Sequence, residues 1–503
     1  MSNENRFNLI DEPWLPVVDV GLISLRQLFS ASDYRALGGN PLQKIAITKL
    51  LLAIAQAAAT PKDEEEWAKL KPEGLAAKCL EYLEYWHERF WLFGEQPFLQ
   101  IPAINSASLQ SYGAVLPEVA TGNTTVFTQI QTQKALSDAE KAMLVLVQMG
   151  FGLGGKKTDN RVVLSAGYTG KTNDKGKPAT GKPGPSLGFM GFLHNFLLGS
   201  SITETLWLNL FTAEQLQQLR VYPNGLGTPP WEVMPLGENC ETAKSFQSSL
   251  MGRLLPFARF CLLTETGLHY SEGIAHAGYK EGVFDPSVSV DFSGKEPKAI
   301  WVDPEKRPWR FLTALLSFLE QSGNRNADCY QIRLGLMRAR THVASLGIWS
   351  GGLRVSSNAG EQFVSGSDDF VESVIMLPEN ILGGLWFGRL QLEMDELDKL
   401  SKIVYSATLN FYKSQNMDGK AKAGQASNLF WQLCEREFQQ LVNVCDDLNQ
   451  AKSLRKKFAG FVYQTYEQFC AKDTARQLDA WAKNRPNLAK YLHDQTQNQE
   501  AQA

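Results

Sequence analysis

The sequence predicts an α+β protein, with a large mixed α/β N-terminal domain over residues 1–380 followed by an antiparallel four-helix bundle over 381–503. Three observations lead there. Short β-branched and aromatic runs, bounded by Pro and Gly, alternate with helical periodicities up to about residue 380. From about Leu385 the pattern becomes long helices with short breaks. Inside the first part lies Met149–Gly191, with eleven glycines, six lysines and Arg161 against only Asp159 and Asp174.

Taken in order, Phe7–Phe29 carries Pro13 and Pro16, which forbid a helix, and then Gly21-Leu22-Ile23-Ser24-Leu25, which reads as a short strand. An opening hairpin is expected. Ile45, Ile47, Leu50, Leu51, Ile54, Ala55 and Ala58 recur at helical spacing after Pro41, so Pro41–Ala59 is a mostly buried helix. Glu64–Phe93 continues as helices, with an apolar face around Cys79, Leu83 and Trp86. Between Pro97 and Gln133 the period is lost, and Thr124–Ile130 suits a strand or an ordered loop with Phe127 projecting. Ser137 and Glu140 have capping-box spacing for a helix over Asp138–Met149, which feeds into the glycine/lysine stretch.

Leu187–Leu210 reads as one or two buried helices. Pro229–Val302 has α+β punctuation, with short strands around Val288–Phe292 and Ala299–Val302, and Trp309–Gly335 is helical or nearly so. Gly347–Gln362 is a second segment of small polar residues, suited to a tight protruding hairpin or loop. Four apolar stripes follow: Leu390 to Leu409, Leu429 to Val444, Phe458 to Phe469, and Leu478 to Tyr491. Breaks this short make an antiparallel bundle the simplest way to bury them.

A net charge of −3 over 503 residues excludes coating of nucleic acid by bulk charge, and leaves room for a local basic groove. The seven cysteines contain no C-x-x-C pair, which predicts neither a disulfide framework nor a cysteine zinc site, and a reducing compartment. No basic n-region with an apolar h-region opens the chain, and no run of eighteen apolar residues occurs. A cytoplasmic protein is expected.

Glycine lets a backbone approach a ligand closely, and surrounding lysines favour a polyanion, so phosphate is the partner that Met149–Gly191 suggests. The same composition also serves as solvated loop. Gly150-Phe151-Gly152-Leu153-Gly154-Gly155-Lys156-Lys157 approximates the phosphate loop of nucleotide hydrolases, and Ala299–Asp303 its acidic partner strand. The match lacks the hydroxyl that holds Mg²⁺, because Lys157 stands there. A P-loop-like NTPase or phosphotransfer enzyme using Gly150–Lys156 is therefore the alternative reading. The six histidines form no H-x-x-x-H pair, and no G-x-S-x-G elbow is present. Catalytic residues, metal and cofactor are expected to be none, and the chain fits a nucleic-acid-binding or scaffolding subunit.

The opening Phe7-Asn8-Leu9-Ile10-Asp11-Glu12-Pro13-Trp14-Leu15-Pro16-Val17, with the length, helix order and terminal bundle, resembles the CasA family, the large subunit of the type I-E CRISPR surveillance complex Cascade. That resemblance implies a subunit without catalytic activity, partnered with the other Cascade subunits and their crRNA. It implies recognition of the protospacer-adjacent motif (PAM) on double-stranded DNA, help in opening the duplex, and docking of the CRISPR helicase-nuclease. Phe127 is similar in position to the family's crRNA-handle anchor. The PAM-reading glycine loop corresponds to Gly152, Gly154 and Gly155 with Lys156, or else to Gly167-Tyr168-Thr169-Gly170, and the groove-reading lysine to Lys280. The wedge corresponds to Val355-Ser356-Ser357-Asn358, where some members place a glutamine. Lys452, Arg455, Lys456 and Lys457 are expected to touch DNA backbone.

Overall fold

The computed structural model describes residues 4–116, 135–151, 159, 161–166, 191–276, 285–319, 327–339, 342–343, 345–355, 370–378 and 384–493. The chain divides into two compact units, Met1–Pro308 with Arg325–Val374, and Trp309–Asn324 with Ile375–Ala503.

The first unit opens with β1 (Arg6–Asn8), β2 (Leu15–Val17) and β3 (Gly21–Ile23). β2 and β3 form the expected hairpin, Leu15 facing Ile23. Leu25 begins a helix instead of ending a strand, because Ser24 and Gln27 close a capping box at the start of α1 (Leu25–Ser30). Asn40 and Gln43 do the same for α2 (Pro41–Ala59), with Pro41 in the first turn. This helix is long and apolar enough to cross a membrane, yet Ile45, Ile47, Leu50, Leu51, Ala53 and Ile54 are fully buried within the unit. It is the core helix against which α3 (Glu64–Tyr85) packs.

The helical expectation for 64–93 fails at its end. Trp91–Phe93 is β4, antiparallel to β1, since only Leu92 is buried between two half-exposed aromatics and the local period is two. β5 (Leu109–Ser111), α4 (Tyr112–Val115) and α5 (Asp138–Phe151) follow. Ser137 and Glu140 cap α5 reciprocally, as their spacing predicts.

Within Leu187–Leu210 the sequence reading is half right. His194–Leu198 is a strand, β6, and among the described residues of this run only α6 (Ile202–Leu208) is helical. A run buried on both faces has no alternation to separate strand from helix. α7 (Ala213–Gln218), α8 (Glu241–Gln247) and α9 (Met251–Leu254) lead to β7 (Arg259–Leu263) and β8 (Gly267–Glu272), and β5 adds to this hairpin in the order β5-β8-β7. β9 (Val290–Asp291) and β10 (Lys298–Ala299) realise the short strands expected there.

Among the described residues of Trp309–Gly335, the expectation of helix or near-helix holds except at Ala327–Asp328. Short turns flank α10 (Leu312–Leu315), and β11 (Ala327–Asp328) pairs with β9 before α11 (Tyr330–Ala339) begins. The largest correction is β12 (Leu346–Leu353). The segment read as a tight protruding hairpin or loop is, up to Leu353, a strand whose eight residues are all buried. It is the middle strand between β6 and β13 (Phe370–Leu377), and its glycines serve packing rather than freedom.

The second unit holds α12 (Gly384–Lys413), α13 (Lys420–Val444), α14 (Leu448–Phe469), α15 (Ala475–Asn484) and α16 (Ala489–His493). α12 packs on α13, α14 and α15. Leu390, Leu397, Val404, Phe411, Phe430, Phe438, Phe458 and Val462 fill its core, at helical spacing. Pro486 ends the fourth stripe as one helix, so α16 resumes it. Trp309 joins this core, its ring 4.4 Å from Phe438 and 5.8 Å from Trp431, with the Arg310 guanidinium 3.8 Å over Trp431.

Candidate nucleic-acid interface

Of the residues singled out from sequence, Phe127, Gly152, Gly154, Gly155, Lys156, Gly167, Tyr168, Thr169, Gly170, Lys280, Ser356, Ser357 and Asn358 lie outside the described residues. Val355, Lys452, Arg455, Lys456 and Lys457 lie within them. The structure describes residues that flank the expected reading segments within the first unit.

The glycine/lysine stretch is fastened partway along its length. Asp159 bridges to Ser271 of β8, and its N–H donates to the Tyr270 carbonyl at 2.9 Å. Its carboxylate accepts from the Ser108 N–H (3.0 Å) and Oγ (2.8 Å), and from the Arg161 N–H (3.1 Å), Nε (3.0 Å) and Nη2 (2.9 Å). The Arg161 guanidinium, with Ser108, holds this carboxyl well below the usual aspartate range. Farther along, the buried Glu238 carboxylate accepts from the N–H groups of Leu164 (3.1 Å) and Ser165 (2.8 Å). Asp159 and 161–166 thus form a fastened stretch between Phe151 and Gly191.

At the far end, the Gly191 carbonyl accepts from the Val302 N–H at 2.7 Å. A Cβ there would lie 2.5 Å from the Trp301 ring and 2.6 Å from Val355 Cγ2, so only glycine fits. Val355, the first residue of the expected wedge, is therefore pressed against the last residue of the glycine/lysine stretch. β6 continues from this contact. The Leu193 N–H donates to the Ile300 carbonyl (2.9 Å), the Asn195 N–H to the Ser287 carbonyl (2.7 Å), and Asn195 Nδ2 to Ser289 Oγ (2.7 Å).

Residues 277–284, which carry Lys280, leave from His276 and return at Asp285. His276 Nε2 donates to the Pro256 carbonyl at 2.6 Å, and burial pushes its pKa down to about 3, so the ring is neutral. Next to Pro256, Phe257 sits at φ +45, a strained value for a bulky residue, and its N–H donates to Met149 Sδ of α5 at 3.3 Å. The near ends of the lysine segment and of the glycine/lysine stretch thus share one anchor, Pro256-Phe257. At the other end, Asp285 is fully buried. It pairs with the Lys49 ammonium of α2 and accepts from the Ser287 N–H (3.1 Å) and Oγ (2.8 Å). Burial pushes the Asp285 carboxyl up, but Lys49 outweighs it and holds the carboxyl below its ordinary value.

In the helical unit, Arg455 forks onto Glu393, with Nε to Oε2 at 2.9 Å and Nη2 to Oε1 at 2.6 Å, and Lys457 pairs with Glu437 at 2.6 Å. Both charges are already met by carboxylates, which weighs against their expected contact with DNA backbone. Lys452 and Lys456 are exposed one turn apart on α14.

A phosphate loop leaves a strand and enters a helix, but here Gly150 and Phe151 lie at the end of α5. The strand beside the would-be acidic partner, β10, is a two-residue piece of an antiparallel sheet. The NTPase geometry is absent from these elements. Among the described residues no group of three or more His, Cys, Asp or Glu is placed to hold a metal ion.

Sequence reasoning missed Ser108, Glu238, Gly191 and the Lys49–Asp285 pair. Asp159 was visible as one of two acids in a cationic stretch, but nothing in the spacing pointed to its partner fifty-one residues earlier.

A family model described as CRISPR-associated protein Cse1 matches residues 8–469. A CRISPR-associated protein CasA/Cse1 from Thermus thermophilus is 28% identical over 346 residues, which is 63% of this chain and 61% of that relative's length. A crystal structure of CasA from Thermus thermophilus superposes with a TM-score of 0.73 at 20% identity, covering 97% of this chain and 100% of that one. A chain of a CRISPR RNA-guided surveillance complex superposes with a TM-score of 0.68 at 15% identity, covering 95% and 98%. At these identities the two structures speak for the fold.

Proposed function

This chain belongs to the CRISPR-associated Cse1 family, and from that premise we propose that it is the non-catalytic large subunit of an RNA-guided surveillance complex, reading a PAM on double-stranded DNA. Its partners on this reading are the other Cascade subunits with crRNA, the target duplex, and the helicase-nuclease that it recruits. The observation that carries the proposal is the common root. Gly191 touches Val355, β6 ties both to Ser287 and Ile300, and Pro256-Phe257 ties the end of α5 to His276. The described residues that flank three segments chosen from sequence for contact with DNA, with their glycines, a lysine and a small polar tip, so share one scaffold.

The chemistry suits a minor groove. Its donor and acceptor pattern is degenerate, so bare main chain at Gly152, Gly154 and Gly155, or at Gly167–Gly170, together with Lys280, reads it permissively. Val355-Ser356-Ser357-Asn358 then wedges beside the reading point and unstacks the first base pair, a cost of a few kcal/mol offset by heteroduplex formation. Phe127 anchors the subunit at the crRNA handle, and Lys452 and Lys456 contact backbone phosphate. The test is duplex binding by the guide-RNA particle with and without this chain. The proposal requires PAM-dependent, steeply salt-dependent binding that is lost without the chain, and no ATP turnover by the chain alone. Equal binding of PAM and non-PAM duplexes by the complete particle would refute it.

A further inference from the structure

We infer that His87 is a pH-set clasp: its ring, held as an imidazolium between the carboxylates of Asp11 and Glu88, fastens the turn Asn8–Glu12 to the end of α3. The inference goes beyond the DNA-reading function proposed above and does not depend on it. His87 opens a single 3₁₀ turn, His87–Arg89, just beyond α3. Its Nε2 lies 2.7 Å from Asp11 Oδ2, and its Nδ1 lies 3.2 Å from Glu88 Oε1. An ionised carboxylate only accepts, and a neutral imidazole carries one proton. Both contacts are therefore hydrogen bonds together only when the ring is doubly protonated.

The charges around the ring require the same form. Asp11 Oδ1 accepts from Arg26 Nε of α1 at 2.8 Å, and Arg26 Nη2 donates to Glu84 Oε2 of α3 at 2.9 Å. Glu88 Oε2 accepts from Trp91 Nε1 of β4 at 3.2 Å, and the Trp91 ring meets His87 edge-on at 5.9 Å. Asp11, Glu84 and Glu88 thus share one fixed cation, Arg26, and the histidine proton supplies the second. Glu12 and Arg89, next to these groups in sequence, make no ion pair among the described residues. Burial draws the His87 pKa down, but the hydrogen bonds to Asp11 and Glu88 outweigh it and hold the ring above its ordinary value. The side chain is 24% exposed, so it trades its proton with solvent without any opening of the fold.

What the clasp closes is set by the main chain. The His87 carbonyl accepts from Asn8 Nδ2 at 3.1 Å, and the N–H groups of Asp11 and Glu12 donate to the Asn8 carbonyl at 3.1 and 2.8 Å. Loss of the proton leaves one donor for two carboxylates. The shorter contact, to Asp11, keeps it as a neutral hydrogen bond, and Nδ1 then turns a lone pair toward Glu88. Glu88, already 77% exposed, swings into solvent. Because the folded ring titrates higher than the unfolded one, the stabilisation is fully present below the unfolded value near 6.5 and is lost as pH rises through the folded one.

The experiment follows the full chain by NMR from about pH 5 to 9, with the histidine Cε1 carbons labelled, and the resonance missing from His87→Gln identifies His87. The expected midpoint lies above about 6.5, and both Asp11→Asn and Glu88→Gln lower it, Asp11→Asn by more because its contact is shorter and less exposed. The gap in thermal midpoint between the native chain and His87→Gln is wider at about pH 6 than at about pH 8.5. A His87 midpoint at or below about 6.5, or one that neither carboxylate variant lowers, would overturn the clasp. So would a thermal gap that widens as pH rises. No DNA enters the measurement, so its failure leaves the DNA-reading proposal standing.

Discussion

The junction under the three segments and the core of the helical unit are held by opposite means. The helical core is aromatic and periodic, with Phe430, Trp431 and Phe438 of α13 and Phe458 of α14 buried along their helices and Trp309 set against Trp431 and Phe438. The junction is polar and singular. It comprises a buried Lys49–Asp285 pair, a carboxylate staple at Asp159, a second at Glu238, and Gly191 pressed between Trp301 and Val355. Apolar packing tolerates exchange of similar side chains, whereas a buried charge or a missing Cβ admits one geometry only. The difference separates two ways of holding a chain: interchangeable apolar packing in one region, and single polar or steric contacts in the other.

The largest way to break that contrast is Asp285→Ala. It leaves the Lys49 ammonium buried without its carboxylate, and about 3–5 kcal/mol of unfolding free energy should be lost in denaturant titration. A double variant, Lys49→Met with Asp285→Leu, should regain most of that stability and still show weakened PAM discrimination. Recovery of both would mean that the pair only fills space.

Phe438→Ala, in the other region, should cost a comparable or slightly smaller amount, about 3 kcal/mol or more, through the cavity beside Trp309. Discrimination between duplexes by particles that still assemble should not change. A loss of discrimination there would blur the contrast.

Gly191→Ala is expected to cost about 1–3 kcal/mol, since its Cβ forces apart the Trp301 ring and Val355. Duplex opening, followed by fluorescence of a base analogue beside the PAM, should suffer more than initial binding, because the wedge root is displaced. Equal loss in both would argue against a link between reading and opening.

The smallest effect is one of pH. The Asp159 carboxyl is held well below its ordinary value by Arg161 and Ser108, so it titrates lower when folded than when unfolded. Its stabilisation is fully present above the unfolded value near 4 and is lost as pH falls through the folded one. The gap in thermal midpoint between the native chain and Asp159→Asn should be constant from pH 7 to about 5 and shrink below about 4. A gap that grows on acidification would contradict the assignment.

The same contrast explains what could be read in advance. α12, α13 and α14 announce themselves through period, because each has one apolar stripe and a polar remainder, and α2 and α5 through Pro41 and the Ser137/Glu140 spacing at their starts. β6 and β12 do not, because strands buried on both faces lose the alternation that marks them, and the glycines of β12 imitate a loop. The junction was legible only as a composition. Partners such as Ser108 and Asp159, or Lys49 and Asp285, stand far apart in sequence, and no local rule pairs them. That Trp309 belongs with α13 is a tertiary fact of the same kind.

Site-specific photo-cross-linking tests the central proposal most directly. A benzophenone side chain replaces Val163, an exposed residue within the fastened stretch, or Lys298, exposed on β10, in the assembled particle bound to a target duplex. Cross-links from both positions to nucleotides within about one helical turn of the PAM are predicted. Cross-links that fall elsewhere on the duplex, or none from either position while the particle still binds PAM DNA, would contradict it.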